Sequence, residues 1–324
     1  MKNIVIIGGG TGTFTLLSGL RKYPSNNSVI VSSADDGGST GVLRKDLGVF
    51  PPGDIRQCLV GLSYTQKEMR ELFNFRFSKG SLAGHSVGNI ILAALEKITG
   101  NIDEAINLAG KLLNVRGAVL PVTLKPTVLS AILVNGKKIT GEHNIDVRQK
   151  RPKIKNISLS PRGPANPKAL KVLEQADAVI LGPGDLYTSV LPSLLVDGIK
   201  QALDNSKAKK ILVTNIMTTP GQTDNFYPLD FATAANSYLG HKKLDYLLIN
   251  SKKPSLLALA SYKKEGAKFV NPDVGGIRGP KTVLADLLCK TVFKKAEGDK
   301  LNTRSSLRHD SDKLAGLIWK IIND

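Results

Sequence analysis

Three short segments of the chain combine glycine with hydroxyl or carboxylate side chains, a composition that suits phosphate binding. They are Gly8-Gly9-Gly10-Thr11-Gly12, Asp35-Asp36-Gly37-Gly38-Ser39-Thr40-Gly41 and Gly182-Pro183-Gly184-Asp185. Glycine lets backbone N–H groups approach an anion closely, and a helix that starts there adds the positive end of its dipole. We therefore predict one site for an anionic ligand that carries phosphate. The alternative is that the glycines serve tight packing of strand on helix.

The second segment also offers two adjacent carboxylates. Adjacent side chains on an extended backbone point in opposite directions, so we expect at most one of Asp35 and Asp36 to face the ligand. That carboxylate could hold Mg²⁺ or act as a base, while the backbone amides of residues 39–41 face the anion. The alternative is a turn in which both carboxylates cap local N–H groups. Arg44, one helical turn further on, could pair with phosphate.

Polar residues outside the glycine segments add candidates. Asp54 is a catalytic candidate, although the role of N-cap for the following helix would also explain it. Arg56 is a phosphate-binding candidate, and the amide of Asn89 could contact a base or sugar. Tyr187 could donate its hydroxyl to phosphate or help to cap the next helix. His85 is better explained as a structural histidine, and no order of serine, histidine and aspartate supports nucleophilic catalysis.

The first glycine segment departs from two known nucleotide fingerprints. A dinucleotide fingerprint requires glycine where Thr13 stands, and strand two does not end in a lone ribose-binding acid. The lysine of a phosphate-binding P-loop is also absent. These departures argue against ordinary NAD binding and against a P-loop NTPase.

The elements that position these residues are predicted from apolar periodicity. Short apolar runs end at each glycine segment, which is typical of strand–helix units in a parallel sheet. We predict strands at 3–7, 28–33, 178–181, 210–214 and 246–249. We predict helices at 13–23, from 54 onward, at 67–77, 84–99, 103–113, 167–175 and 192–203, from 254 onward and at 311–322. The fold class is therefore α/β, a Rossmann-like doubly wound parallel sheet in a single domain over residues 1–324.

One segment breaks this pattern. Over residues 116–159 helical periodicity disappears, and Asn135-Gly136 separates two β-rich runs. This dipeptide favours a type I′ hairpin turn. We predict a small antiparallel β insert within the domain.

Composition restricts the class of partner. The 324 residues include 45 basic and 27 acidic side chains, a net charge of +18. The basic residues are spread along the chain, and their densest stretch, 148–155, contains no aromatic residues to stack bases, so we do not expect nucleic-acid binding. No apolar run is long enough to span a membrane. The two cysteines form no disulfide framework and have no metal-ligand spacing. Together with the lack of a membrane-spanning run, this predicts a cytoplasmic protein.

In combination, the motifs resemble the CofD-like family, and most closely its bacterial branch of YvcK-type gluconeogenesis factors. The matching segments are Gly8–Gly12, Ser33–Gly41, Pro52–Arg56, Gly84–Asn89, Leu181–Ser189 and Arg308–Asp310. The resemblance implies a Rossmann-like core and a nucleotide-diphosphate site, with Gly8–Gly12 and Gly37–Gly41 at the diphosphate. Tyr262 and Arg308 resemble the tyrosine and arginine with which that branch binds its sugar nucleotide, and Asp36 would be the acid that faces a metal, if Mg²⁺ binds.

The resemblance supports two hypotheses. The bacterial branch binds UDP-sugars, notably UDP-N-acetylglucosamine, and influences cell shape and envelope synthesis during gluconeogenic growth; this implies a regulatory factor. The other branch, 2-phospho-L-lactate transferase, moves a phosphoester unit from a nucleotide-activated donor with Mg²⁺; this implies an enzyme, with Asp36 and Asp54 as catalytic candidates. A homo-oligomer is compatible with both. The nucleotide- and phosphate-binding candidates are Gly8, Gly9, Gly10, Thr11, Gly12, Asp35, Gly37, Gly38, Ser39, Thr40, Gly41, Arg44, Arg56, Asn89, Gly182, Gly184, Tyr187, Tyr262 and Arg308.

Overall fold

The computed structural model describes residues 1–147, 152–273, 279–291 and 306–324, so part of the predicted basic stretch 148–155 lies outside the described residues. The strands are β1 Lys2–Ile7, β2 Ser25–Val31, β3 Ala118–Pro121, β4 Val128–Leu133, β5 Lys138–Thr140, β6 Ile154–Ser160, β7 Ala178–Leu181, β8 Lys209–Val213, β9 Tyr246–Asn250 and β10 Lys281–Ala285. Within the described residues, seven strands form one parallel sheet in the order β10-β9-β8-β7-β1-β2-β3. The order reverses between β1 and β7, which confirms the doubly wound α/β prediction.

Helices cover both faces of this sheet. They are α1 Gly10–Leu20, α2 Gly38–Leu47, α3 Pro52–Gly61, α4 Lys67–Asn74, α5 Val87–Thr99, α6 Ile102–Leu112, α7 Glu142–Asp146, α8 Pro167–Glu174, α9 Leu191–Leu194, α10 Ile199–Asn205, α11 Pro228–Tyr238, α12 Leu256–Glu265 and α13 Ser311–Asn323, with a π-helical turn at Leu186–Val190. None of these helices has both the length and the apolar character that crossing a membrane requires, as far as the described residues show.

Two hydrophobic cores lie on the two faces of the parallel sheet, and the central strand β1 contributes to both. Its side chains alternate between faces, so Ile4 and Ile6 pack with α1, α3 and α13, whereas Val5 and Ile7 pack with α8 to α11. All four side chains are buried. A continuous apolar run is what a parallel strand covered on both faces requires.

The predicted antiparallel insert is confirmed as a sheet of order β5-β4-β6 that packs on the Val5 face. Its strands begin at Val128, because β3, within the predicted segment 116–159, pairs in parallel with β2. The predicted type I′ turn is wrong. Positive φ occurs at Gly136 (81°) but not at Asn135, and the Gly136 N–H donates to the Leu133 carbonyl, which is a type I turn followed by a glycine bulge.

Several predicted helix bounds also change. The predicted helix at 192–203 is interrupted at Gly198 (φ 96°), where the Asp197 carbonyl accepts the Ala165 N–H instead of continuing the helix. The helix predicted to begin at Asp54 begins at Pro52. The predicted helix at 67–77 ends at Asn74, and the one at 84–99 begins at Val87. β10, α2, α7 and α11 were not among the predicted ranges.

Candidate functional site

The loops that follow β1 and β7 meet at the carboxyl edge of the sheet, where the strand order reverses. The Gly182 N–H donates to the Ile7 carbonyl (2.9 Å). A Cβ on Gly12 would lie 2.4 Å from the Pro183 carbonyl oxygen, so the two loops could not approach this closely with any other residue at position 12. In parallel sheets of this kind, ligands bind in the crevice that opens at such a reversal.

Three helices begin at this edge without a capping side chain. The N-cap residues of α1, α2 and α3 are Gly9, Gly37 and Pro51, and none of them makes a side-chain cap hydrogen bond. The first-turn N–H groups of these helices are therefore not satisfied by a cap, and each helix brings the positive end of its dipole. This arrangement suits an anion.

Two neighbouring cavities open at these helix ends. The central cavity, of about 350 Å³, extends from the β1 and β7 loops past residues 215–220 to residues 307–309. The side cavity, of about 180 Å³, lies between the starts of α2, α3 and α5. The two cavities share a wall made by Asp35, Gly37, Asp54 and Gln57.

Most sequence-predicted residues lie in these linings. The central cavity is lined by the candidates Gly9, Gly10, Thr11, Gly12, Asp35, Gly37, Asp54, Gly184, Tyr262 and Arg308. The side cavity is lined by the candidates Asp35, Gly37, Gly38, Ser39, Thr40, Asp54, Arg56 and Asn89. The candidates outside both linings are Gly8, Asp36, Gly41, Arg44, Gly182 and Tyr187.

The adjacent carboxylates separate as predicted, but the acid at the cavities is Asp35. Asp36 turns away, and its Oδ1 accepts the backbone N–H of His143 in the first turn of α7 (2.7 Å). Asp35 Oδ1 accepts the Gly37 N–H (3.0 Å) and lies in the wall shared by the two cavities. This geometry does not support Asp36 as the acid that faces a metal, because α7 occupies its carboxylate.

Two predicted phosphate ligands have structural contacts instead. Arg44 donates from Nη1 to the Asp35 carbonyl (2.7 Å) and from Nη2 to the Thr127 carbonyl (3.2 Å), and so ties α2 to the segment that leads into β4. Tyr187 lies in the apolar core, where burial raises the pKa of its phenol to about 12. Neither side chain lines the central or the side cavity.

A hydrogen-bonded chain of side chains forms one wall of the side cavity. Arg56 Nε donates to Asn89 Oδ1 (2.9 Å), Asn89 Nδ2 donates to Ser39 Oγ (3.2 Å), and Ser39 Oγ lies 3.1 Å from His85 Nδ1. Arg56 and Asn89 are buried. Because both polar atoms of the Asn89 amide bond to protein groups, Asn89 positions Arg56 and Ser39 at the cavity.

Three acids of the central cavity were not among the predicted binding, catalytic or metal residues. Glu142 and Asp146 come from α7, and Asp185 is the last residue of the third glycine segment. Burial, followed by the neighbouring Asp146, raises the pKa of Glu142 well above its usual range. Burial, followed by Asp185, raises the pKa of Asp146 to about 8. No spacing in the sequence indicated that α7 would meet the glycine loops.

Asp54 is not the N-cap that the sequence allowed. It lies in the first turn of α3, and a Cβ built on Gly9 would fall 1.8 Å from its Oδ2, so the carboxylate lies against the start of α1. No group of three or more acidic, histidine or cysteine side chains placed to hold a metal occurs in the part of the chain that the structure describes. Mg²⁺ often needs only one or two carboxylates together with substrate phosphates, and Asp35 and Asp54 fit that requirement.

The far end of the central cavity joins α12 to the C-terminal segment. The buried Tyr262 hydroxyl accepts the Leu307 N–H (2.9 Å), which brings Tyr262 and Arg308 into one cavity lining. The next residue, His309, also lines the cavity and was not predicted. Burial lowers the pKa of His309 to about 4, so its imidazole is neutral at physiological pH.

Comparison with known proteins places this chain beside several relatives. A family model described as 2-phospho-L-lactate transferase CofD matches residues 4–288. A Thermotoga maritima protein, provisionally named as a gluconeogenesis factor, is 42% identical over 98% of both chains. The gluconeogenesis factor of Bacillus subtilis is 38% identical over 99% of this chain and 98% of its own. A crystal structure of a UPF0052 family member from Bacillus halodurans, 37% identical, superposes with a TM-score of 0.90 over 98% of both chains.

Proposed function

Because the chain belongs to the CofD family, we propose that it is a cytoplasmic regulatory factor of gluconeogenic growth that binds a nucleotide sugar, UDP-N-acetylglucosamine. The names of its relatives support the link to gluconeogenesis. Control of cell shape and of envelope synthesis is the proposed output. Such a role requires that the protein bind the nucleotide sugar and change its interaction with a partner, but it requires no turnover of the ligand.

The observation that carries the proposal is the shape and polarity of the central cavity. It begins at the uncapped start of α1 and ends at Tyr262 and Arg308. A diphosphate would lie against the α1 N–H groups, where the helix dipole favours negative charge. Arg308 then offers a planar cation and Tyr262 an aromatic surface to the rest of the ligand.

Isothermal titration of the purified protein with UDP-N-acetylglucosamine, with and without Mg²⁺, tests the proposal. GDP and NAD are the comparators. Selective binding of the UDP-sugar supports it, and binding of GDP with no response to the UDP-sugar contradicts it.

Two pairs of variants test the site itself. Gly10→Val adds bulk at the start of α1, in the lining of the central cavity, and Gly48→Val is its control, since both glycines have positive φ (70° and 65°) and a Cβ at Gly48 meets no atom within 4 Å. Arg308→Met removes a cavity cation, and Arg162→Met removes an exposed one. We expect Arg308→Met to weaken UDP-sugar binding about ten-fold or more, the loss of about one charged hydrogen bond. We expect a similar loss in Gly10→Val, because the added side chain obstructs the approach of the diphosphate to the α1 N–H groups. Equal affinity within both pairs would contradict the assignment of the site.

A second candidate function is Mg²⁺-dependent transfer of a phosphoester unit from a nucleotide-activated donor. The specific observation in its favour is that Asp35 and Asp54 lie in the wall between two cavities, which gives room for a donor on one side and an acceptor on the other. Asp35→Asn should then lower Mg²⁺-dependent consumption of a nucleotide-activated phosphoester, followed by phosphorus NMR, by about a hundred-fold. Unchanged turnover in Asp35→Asn would exclude this role for Asp35.

A further inference from the structure

A second concave and charged site lies at the opposite, amino edge of the parallel sheet, where β8 and β9 begin. A cavity of about 470 Å³ opens there. We call it the lysine-lined cavity, after its residues Lys207, Lys209, Lys210, Lys242 and Lys243; Asp245 is the carboxylate in its lining. The central cavity lies at the carboxyl edge, so the two sites use different ends of the sheet.

The carboxylates near this cavity already serve backbone donors. Asp245 Oδ2 accepts the Lys210 N–H (2.7 Å), and Asp204 accepts the N–H groups of His241 and Lys242 (2.9 and 2.8 Å). Across the described residues, none of the five cavity lysines forms an ion pair within 4 Å. Two nearby carboxylates therefore offset only part of the positive charge of the five lysines.

Lys210 is the most informative of the five. Lys210 is 2% exposed, yet among the described residues its Nζ makes one long hydrogen bond, to the Ala208 carbonyl (3.4 Å). An ammonium group has three donors, and a buried charge without good acceptors costs free energy. Burial accordingly lowers the pKa of Lys210, while Asp245 opposes the shift.

Backbone carbonyls hold three other ammonium groups at the cavity. Lys209 Nζ donates to the Ile321 carbonyl (2.7 Å), Lys242 Nζ donates to the Ser206 carbonyl (2.9 Å), and Lys243 Nζ donates to two carbonyls in the segment before β9 (3.0 and 2.7 Å). Lys209 and Lys242 thus keep two of their three donors for a ligand, and Lys243 keeps one. The cations are thus positioned before any ligand arrives.

We propose that the lysine-lined cavity binds a small polyanion with two or more phosphate groups. Lysine ammonium groups are compact point charges that suit phosphate oxygens. A cavity of about 470 Å³ has room for a small molecule. The ligand would give Lys210 the acceptors that the protein does not supply.

Titration of the whole protein with pyrophosphate at physiological ionic strength tests this site. We expect Lys210→Met and Lys207→Met each to weaken one binding phase about ten-fold, the effect of one lost hydrogen bond to a charged group. Lys137→Met, which removes an exposed lysine from the turn between β4 and β5, should leave that phase unchanged. Arg308→Met should also leave it unchanged, which separates this site from the central cavity.

Two outcomes would overturn the proposal. One is wild-type affinity for pyrophosphate in both Lys210→Met and Lys207→Met. The other is an equal loss in Lys137→Met, which would show attraction to overall charge alone. Methionine fills the buried volume of Lys210, and Lys207 is exposed, so the second variant decides the matter even where the first fails to fold.

Discussion

Gly12 and Pro183 lie so close that a Cβ on Gly12 would sit 2.4 Å from the Pro183 carbonyl oxygen. They belong to the two loops on either side of the reversal in strand order, and their contact sets the spacing of these loops. The absence of one side chain therefore determines how the start of α1 faces the loop after β7.

Gly12→Ala should lower the free energy of unfolding by about 1–3 kcal/mol, because the added methyl group meets backbone atoms that cannot rotate away. The displaced loops should also weaken binding of UDP-N-acetylglucosamine. Urea unfolding and titration measure the two effects. Gly110→Ala in α6 is the control, since its Cβ would meet the nearest atom at 3.8 Å and alanine favours a helix by about 0.5–1 kcal/mol. Equal stability of the two variants would refute the argument.

Asp146 leads to a prediction about alkaline pH. Its pKa rises from 3.8 to about 8 in the folded protein, so between these values the folded state holds a proton that the unfolded chain has released. This group therefore lowers the free energy of unfolding as pH rises through that window. Asp146→Asn should be stabilised relative to wild type, and most strongly near pH 8. Urea unfolding from about pH 5 to 8 measures the difference, with Asp46→Asn as the exposed control.

His309 leads to the opposite prediction in acid. Its pKa falls from 6.5 to about 4 on folding, so the unfolded chain takes up a proton first as the pH drops. The contribution of this neutral histidine to the free energy of unfolding is fully present above about pH 6.5. It is lost as the pH falls towards 4, by up to about 3 kcal/mol. His309→Gln should remove this part of the pH dependence. The exposed His241→Gln should leave the profile unchanged, and a profile for His309→Gln that follows wild type would show the argument to be wrong.

Arg44 tests whether a residue outside the cavities controls the ligand site. It donates to the carbonyls of Asp35 and Thr127, and its loss leaves both acceptors without their charged donor. Arg44→Met should lower the free energy of unfolding by about 2 kcal/mol and weaken UDP-sugar binding. Its neighbour Lys45 is exposed, so Lys45→Met matches the change in charge without the contacts. Loss of binding in both variants would point to charge rather than to the position of Asp35.

Much of the fold could be predicted because its signals are local. The run Ile4–Ile7 followed by glycines gives a buried parallel strand and a turn, and the structure confirms both. β10 escaped prediction because its side chains are partly exposed and lack a continuous apolar run. The turn at Asn135-Gly136 was placed correctly but assigned the wrong type. A type I′ turn needs positive φ at both residues, whereas Gly136 has positive φ and Asn135 does not.

In the candidate site, too, the local features could be predicted and the contacts between distant residues could not. The glycine segments name the residues that can approach an anion, because a missing side chain is a property of the sequence. Asp35 faces the cavities because the backbone N–H of His143 donates to the carboxylate of Asp36. The two residues of this contact, His143 and Asp36, are 107 positions apart in the chain.

The sequence by itself determined the strand–glycine–helix units and the family of this protein, since both depend on short stretches of neighbouring residues. The tertiary structure alone decided that Glu142 and Asp146 join the site, that Tyr262 meets the segment of Arg308, and that five lysines gather at the opposite edge. The physical reason is that parallel strands bring residues together through sheet order and long crossovers. No local pattern in the chain encodes that order.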